Sequence, residues 1–228
     1  MNFQRDIVAA DEFGIDNFPG VIYQVLHYAA TDSANYAIEK MQEAVMFSNR
    51  KYLRKHCCDL IKNKNEAVVV EFGVWSGNSI NAFAKELPEA SVFGFDSFLG
   101  LSENWSGFNL VKGTFNLNGV SPVVEKNVTI YNGLYEDVVP EFIKNNNFKN
   151  GIDLIHMDSD TYSPTIYALN NLNNLIREGS IIIFDEYFGY PNWRSHEYKA
   201  FQEFISQNSI RYRYIAYSEH TVAVEILK

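Results

Sequence analysis

Cysteine is nearly absent from this chain: of 228 residues only Cys57 and Cys58 carry a thiol, and they are neighbours. Adjacent thiols make no C-x-x-C metal knuckle and rarely bridge each other, so zinc-ribbon and disulfide-stapled architectures are excluded. Basic residues are also in deficit, 19 against 28 acidic ones, giving a net charge of −9. With no basic stripe, that balance argues against nucleic acid or an anionic membrane as partner. No run approaches the ~20 apolar residues that span a bilayer. The opening Met1-Asn2-Phe3-Gln4-Arg5-Asp6 lacks the apolar core of a signal peptide. The expectation is a reduced, cytoplasmic protein.

Hydrophobic residues make up 46% of the chain and aromatics 15%, enough at this length for one globular α/β domain with an N-terminal extension. Residues 1–19 read as an arm or lid, with Asp11, Gly14 and Pro19-Gly20 as turn signals. Helical periodicity follows over 21–31 and 34–62, with Asp32-Ser33 placed to cap the second helix. We therefore assign 1–65 to an N-terminal arm and helices, serving as cap, lid or oligomer contact, and 66–228 to the core domain.

From residue 67 the pattern alternates. Strands are expected over 67–72, 91–95, 128–131, 153–157 and 180–184, with helices over 78–87, 134–144, 163–176 and 195–207 between and after them. Residues 97–122, rich in Gly, Asn and Ser, read as an active-site loop. Residues 211–217 and 221–227 read as two strands joined by a short turn, an antiparallel finish. Short apolar strands alternating with helices imply a parallel sheet covered on both faces.

The chain is organised around Val68-Val69-Val70-Glu71-Phe72-Gly73-Val74-Trp75-Ser76-Gly77-Asn78-Ser79. It reads as a strand, a tight turn and a helix N-terminus, an arrangement that presents backbone N–H groups to a nucleotide-like ligand. Its spacing is E-x-G-x-x-x-G, not the dinucleotide G-x-G-x-x-G, so a nicotinamide oxidoreductase ranks low. Acids close the strands: Glu71, Asp96, Asp158, and Asp185 with Glu186. A lone strand-end Asp is as often a turn former or helix cap, but ligands of open α/β sheets lie beyond the carboxyl ends of the strands, where all of these acids should meet. Asp96 suits a ribose diol through charged hydrogen bonds. Asp158, Asp185 and Glu186 offer three hard oxygen ligands suited to Mg²⁺.

Five stretches, in order, carry a family resemblance. Glu71-Phe72-Gly73-Val74-Trp75-Ser76-Gly77 resembles the first motif of class I S-adenosylmethionine-dependent methyltransferases, and more narrowly the E-x-G-V-W-x-G of the macrocin O-methyltransferase family, which modifies deoxysugars. Phe95-Asp96-Ser97-Phe98-Leu99-Gly100-Leu101 is similar to that family's D-S-F-x-G-L, and the stretch from Gly133 to Pro140 to its G-x-F-x-D-T-L-P. His156-Met157-Asp158-Ser159-Asp160-Thr161-Tyr162 resembles H-x-D-x-D-x-Y, and Asp185-Glu186-Tyr187 stands where the family has D-D-Y.

The resemblance implies a Rossmann-like, mostly parallel sheet of seven strands with the last antiparallel. It implies S-adenosylmethionine held by Glu71, Gly73, Val74, Trp75, Gly77, Ser79, Asp96, Ser97, Gly133, Tyr135, Glu136 and Asp158. It implies Mg²⁺ on Asp158, Asp185 and Glu186. Catechol O-methyltransferase has a lysine base where this chain has Thr161, so the resemblance leaves the base open. The catalytic candidates are Asp158, Asp160 and His156. His156 lies inside a strand and reads sooner as a hydrogen-bonded core residue, while Asp160 either accepts the proton or orients a metal ligand. Arg194 and His196 either meet substrate or simply begin an exposed helix. Aromatic-rich loops (Trp105, Phe108, Phe115, Tyr187, Phe188, Tyr190, Trp193) either stack on the acceptor or close the site.

The expected activity is Mg²⁺-dependent O-methylation of a small, sugar-containing acceptor by a homo-oligomer. The alternatives are a catechol-like acceptor or a protein that binds the cofactor without catalysis.

Overall fold

The structure, a computed structural model, describes residues 20–108, 110–146 and 148–227; the arm or lid expected over 1–19 lies outside them. The described chain runs α1 (Val21–Lys40), β1 (Val45–Met46), α2 (Arg50–Leu60), β2 (Val68–Phe72), α3 (Asn78–Glu86), β3 (Ser91–Asp96), β4 (Val128–Asn132), α4 (Tyr135–Asn145), β5 (Leu154–Met157), α5 (Tyr162–Leu172), β6 (Ile181–Phe184), α6 (Glu197–Asn208), β7 (Arg211–Tyr217) and β8 (Val222–Leu227).

The strands form one sheet in the order β1-β7-β8-β6-β5-β2-β3-β4. β8 pairs antiparallel with both β6 and β7, and the other neighbours are parallel. The mostly parallel α/β sheet with a reversed last strand is therefore as expected, but it has eight strands, not seven. The addition is β1, two residues that pair with Ala216 and Tyr217 of β7. A two-residue strand carries no periodicity to read, and it ties the N-terminal segment into the sheet.

The N-terminal helices also differ from expectation. α1 continues unbroken through Asp32-Ser33, because neither side chain caps a helix: Ser33 Oγ donates back to Ala29 O at 2.7 Å, and Asp32 accepts from Arg194 and Trp193. The break falls later, at 41–49. There Asn49 caps α2, its side chain accepting from Lys51 N (3.0 Å) and Tyr52 N (3.3 Å). The first turns of α1 leave Val21, Ile22 and Tyr28 exposed.

The core is two layers, one on each face of the sheet. Side chains alternate along a strand, so Val70 and Phe72 of β2 point into one layer and Val69 into the other; Ile182 and Phe184 are likewise separated from Ile181 and Ile183. α4, α5 and α6 cover the first layer through Phe142, Leu169 and Phe201. α2 and α3 cover the second through Leu53, Cys57, Ile80 and Phe83. Both cysteines are free and buried. Among the described residues no helix is long and apolar enough to cross a membrane.

Candidate active site

Register alone assembles the rim. β2 pairs Phe72 with Phe95 of β3 and with Met157 of β5, and β5 pairs Met157 with Phe184 of β6. The next residue along each strand or just beyond it is then Gly73, Asp96, Asp158 or Asp185, all at the carboxyl edge. β2 and β5 mark the point where the chain switches direction across the sheet, the expected place for a ligand crevice. A cavity of about 340 Å³ opens there.

At one end the cavity is lined by the turn after β2 and by the first residues of α3. Gly73 (φ +89°) and Gly77 (φ +79°) are left-handed, and Gly73 lies so close to Asp158 O that no Cβ fits between them. Val74, Trp75, Ser76, Asn78 and Ser79 all face the cavity. Gly77, the N-cap of α3, offers no side-chain acceptor, so the helix's first N–H groups are left for a ligand.

Asp96 latches this turn. Its Oδ2 accepts from Val74 N (2.9 Å) and Trp75 N (2.8 Å), and its Oδ1 from Phe98 N (2.7 Å). Three of the carboxylate's roughly four acceptor positions are thus filled, leaving one for a ligand hydroxyl. Ser97, Gly133, Tyr135 and Glu136 complete this wall, and Trp105 and Phe115 line the cavity from the long loop. Trp75 packs edge-on to Phe115, with centroids 5.3 Å apart.

At the other end Asp158, Asp160 and Glu186 line the cavity, each offering a carboxylate oxygen within 4.8 Å of the others'. Asp160 sits in the left-handed region (φ 65°) of the β5–α5 turn, a conformation that Asp and Asn tolerate better than most residues. Burial and the neighbouring Asp185 raise the Asp158 pKa to about 7. Burial and adjacent carboxylates also hold Asp160 and Glu186 well above the usual range. Glu186 keeps a buried Oε2 without a partner. Hard oxygen donors, mutual repulsion and an unsatisfied acceptor are what a divalent cation would relieve, so these residues fit one.

Asp185 is placed differently. It is fully buried and does not line the cavity. Arg50 Nη1 donates to its Oδ2, and Arg54 Nη2 to its Oδ1 at 2.6 Å. Burial opposes its charge, but His156 and the two arginines outweigh that and hold its pKa well below the usual range. Sequence reasoning missed both arginines. Their i, i+4 spacing on α2 places them on one helix face, but nothing local says that face meets β6. It also missed Glu197, buried at the start of α6, whose Oε2 accepts from Glu186 N at 3.1 Å.

Glu71 and His156 lie beneath the cavity, both fully buried. Glu71 accepts from Ser79 Oγ at 3.0 Å through Oε1, and its Oε2 stands 2.9 Å from His156 Nδ1. His156 Nε2 is 3.5 Å from Asp185 Oδ1, an electrostatic contact beyond hydrogen-bond length. Burial and Arg54 push the His156 pKa down, but the two carboxylates prevail and raise it to about 9. The folded pKa therefore exceeds the unfolded ~6.5. The stabilisation is complete below pH 6.5 and lost as pH rises towards 9. Thermal melts across that window should show a falling midpoint, and His156→Gln should flatten the slope; equal slopes would rule out the charged histidine.

Arg194 does not reach the cavity: it pairs with Asp32 at 3.0 Å and stacks on Trp193, 4.1 Å from its ring centroid. His196 Nε2 meets Ser106 Oγ (3.0 Å) and Ser106 O (2.9 Å), pinning the long loop to the start of α6. Trp105, Phe108 and Tyr190 pack together beside that contact.

The profile of the family described as Methyltransferase domain matches residues 70–187, the segment that builds both ends of this cavity. Uncharacterized protein R132 of Acanthamoeba polyphaga mimivirus is 27% identical over 153 residues, covering 64% of each chain; the match thus spans just under two thirds of that relative. Among solved structures, the calicheamicin methyltransferase CalS11 superposes with a TM-score of 0.61 at 21% identity, over 89% of this chain and 90% of that one. In its apo form CalS11 is described as a TDP-rhamnose 3′-O-methyltransferase. The O-methyltransferase NovP gives a TM-score of 0.57 at 19% identity, over 78% of this chain and 80% of that one. These two likenesses share the fold, and the family match extends over more than half of the sequence: the chain belongs to the methyltransferase domain family.

Proposed function

We propose that the protein is an S-adenosylmethionine-dependent O-methyltransferase that acts on a hydroxyl of a small, sugar-containing acceptor. The observation that carries this reading is the two-ended cavity. One end is a glycine turn and helix N-terminus latched by Asp96, and the other is an acidic cluster. The sugar acceptor draws its support from the activity described for CalS11.

In this reading Asp96 meets a ribose hydroxyl, and the amides at the start of α3 meet the donor's carboxylate. S-adenosylmethionine, when bound, supplies the methyl group. Asp158 and Glu186 would hold Mg²⁺, which is commonly bound through one or two carboxylates and retained water; it would supply positive charge to the acceptor hydroxyl. Asp160 takes the hydroxyl proton. Its environment disfavours the charged form and so makes it a stronger base once ionised. The aromatic loop residues Trp105 and Phe115 exclude water and position the acceptor.

Isothermal titration with S-adenosylmethionine tests the donor half. The intact protein should bind, and Asp96→Ala should weaken binding at least about tenfold, the loss of one charged hydrogen bond. No binding by the intact protein sinks the proposal. Mass spectrometry of nucleotide-sugars, glycosides and catechols after incubation then separates a sugar from a phenolic acceptor.

A further inference from the structure

The cation assigned to Asp158 and Glu186 has neighbours that already carry positive charge. Arg54 Nη2 lies 2.6 Å from Asp185 Oδ1 and 3.9 Å from Asp158 Oδ2, between two strand-end carboxylates. Arg50 Nη1 contacts Asp185 Oδ2 and lies 3.6 Å from Glu186 Oε1. Two guanidinium nitrogens therefore span the same three carboxylates that the sequence offers to a metal.

The platform beneath them is rigid. α2 is capped by Asn49 and anchored by the buried Leu53, Cys57 and Cys58. Arg50 and Arg54 stand one turn apart on its face. Arg54 is only 13% exposed, and its Nε is buried without a partner. A side chain that tolerates an unsatisfied donor there is held by the charge at its tip. Thr221 Oγ1 also donates to the Asp185 carbonyl oxygen at 3.1 Å, fixing the backbone of the residue both arginines hold.

We propose that Arg54, supported by Arg50, is a tethered cation that occupies Asp185 and competes with a divalent ion for the strand-end carboxylates. The proposal rests on the reading that Asp158 and Glu186 hold such an ion. It has two physical consequences. Asp185 is withdrawn from the ligand set, and a mobile cation must enter against a fixed positive charge only a few ångströms away, a repulsion that is strong at a poorly solvated site. Divalent-ion affinity is thereby held low, so the cation exchanges readily instead of staying as a permanent part of the fold.

The test is Mn²⁺ binding to the folded protein, read as loss of the free-ion electron paramagnetic resonance signal, without any turnover. Arg54→Met removes the tethered charge and should tighten Mn²⁺ binding at least about tenfold. Arg54→Lys keeps the charge and should stay close to wild type. Adding Asp185→Asn to Arg54→Met should lower the gain, because the freed ligand is removed while the guanidinium charge stays absent. Binding seen only in Arg54→Met supports the proposal in its strongest form. If wild type binds Mn²⁺ and Arg54→Met binds no tighter, the proposal is overturned and the cation site stands. If neither binds while both still take up S-adenosylmethionine, the cation site itself falls, and the proposal with it.

Discussion

Asp160→Asn should lower methyl transfer by about 10² to 10⁴-fold, the usual contribution of a positioned general base, and leave S-adenosylmethionine affinity within about threefold. The side chain it alters stands at the cavity, within 4.8 Å of Asp158 and Glu186 through its carboxylate oxygen. The exchange is isosteric, and asparagine tolerates the left-handed conformation (φ 65°) that this position imposes. Folding should therefore be preserved and the chemistry lost. The measurement is single-turnover methyl transfer beside a cofactor titration and a Mn²⁺ titration. A base leaves the Mn²⁺ titration nearly unchanged, whereas a metal ligand weakens it in step with turnover. Full activity in the variant would remove Asp160 from the mechanism.

The second large effect is on stability. Gly73→Ala should cost about 4 kcal/mol or more, a size reserved for a few identifiable mechanisms, and lower the melting temperature by roughly 10 °C or more for a chain of this length. Two penalties coincide. The residue is left-handed (φ +89°), and a Cβ would stand well inside contact distance of the Asp158 carbonyl. Neither side yields easily, because Gly73 N donates to Phe95 O at 3.0 Å and Asp158 N to Phe72 O at 2.8 Å, both just past the ends of their strands. Gly179 is the control: its φ is +84° but nothing lies within 4 Å of its Cβ position. Gly179→Ala should therefore lose only about 1 kcal/mol, the backbone term alone. Equal losses in the two variants would show that the close approach to Asp158 is unimportant.

The sheet and its rim were legible because each apolar strand run ends at an acid or glycine, and parallel pairing in register brings those ends together. Glu71 shows the limit of that reasoning. Its place at the end of β2 suggests a ligand contact, yet as the penultimate residue of the strand it points into the layer beneath the cavity, where Ser79 and His156 use both its oxygens. One residue of strand phase separates the two outcomes. Arg50 and Arg54 were illegible for another reason. On an isolated helix they are an ordinary polar face, and only the packing of α2 over the sheet delivers them to Asp185. Asp32 and Ser33 misled in the opposite sense, since capping residue types that find tertiary or backbone partners leave the helix to run on.

The crevice between β2 and β5 divides the site in a way that matters for how such a protein changes. The wall that faces a donor comes mainly from one contiguous piece of chain, β2 through the first turn of α4, and the acidic wall mainly from the next, the end of β5 through the start of α6. The two pieces meet along the β2–β5 pairing and at the Ser106–His196 contact, and approach most closely where Gly73 faces Asp158 O. On the proposed function, substitutions in the later piece should alter the acidic wall while leaving the donor wall intact, provided that the Gly73–Asp158 approach is kept. The two walls are modular along the sequence, and the tightest point of the seam between them is one glycine wide.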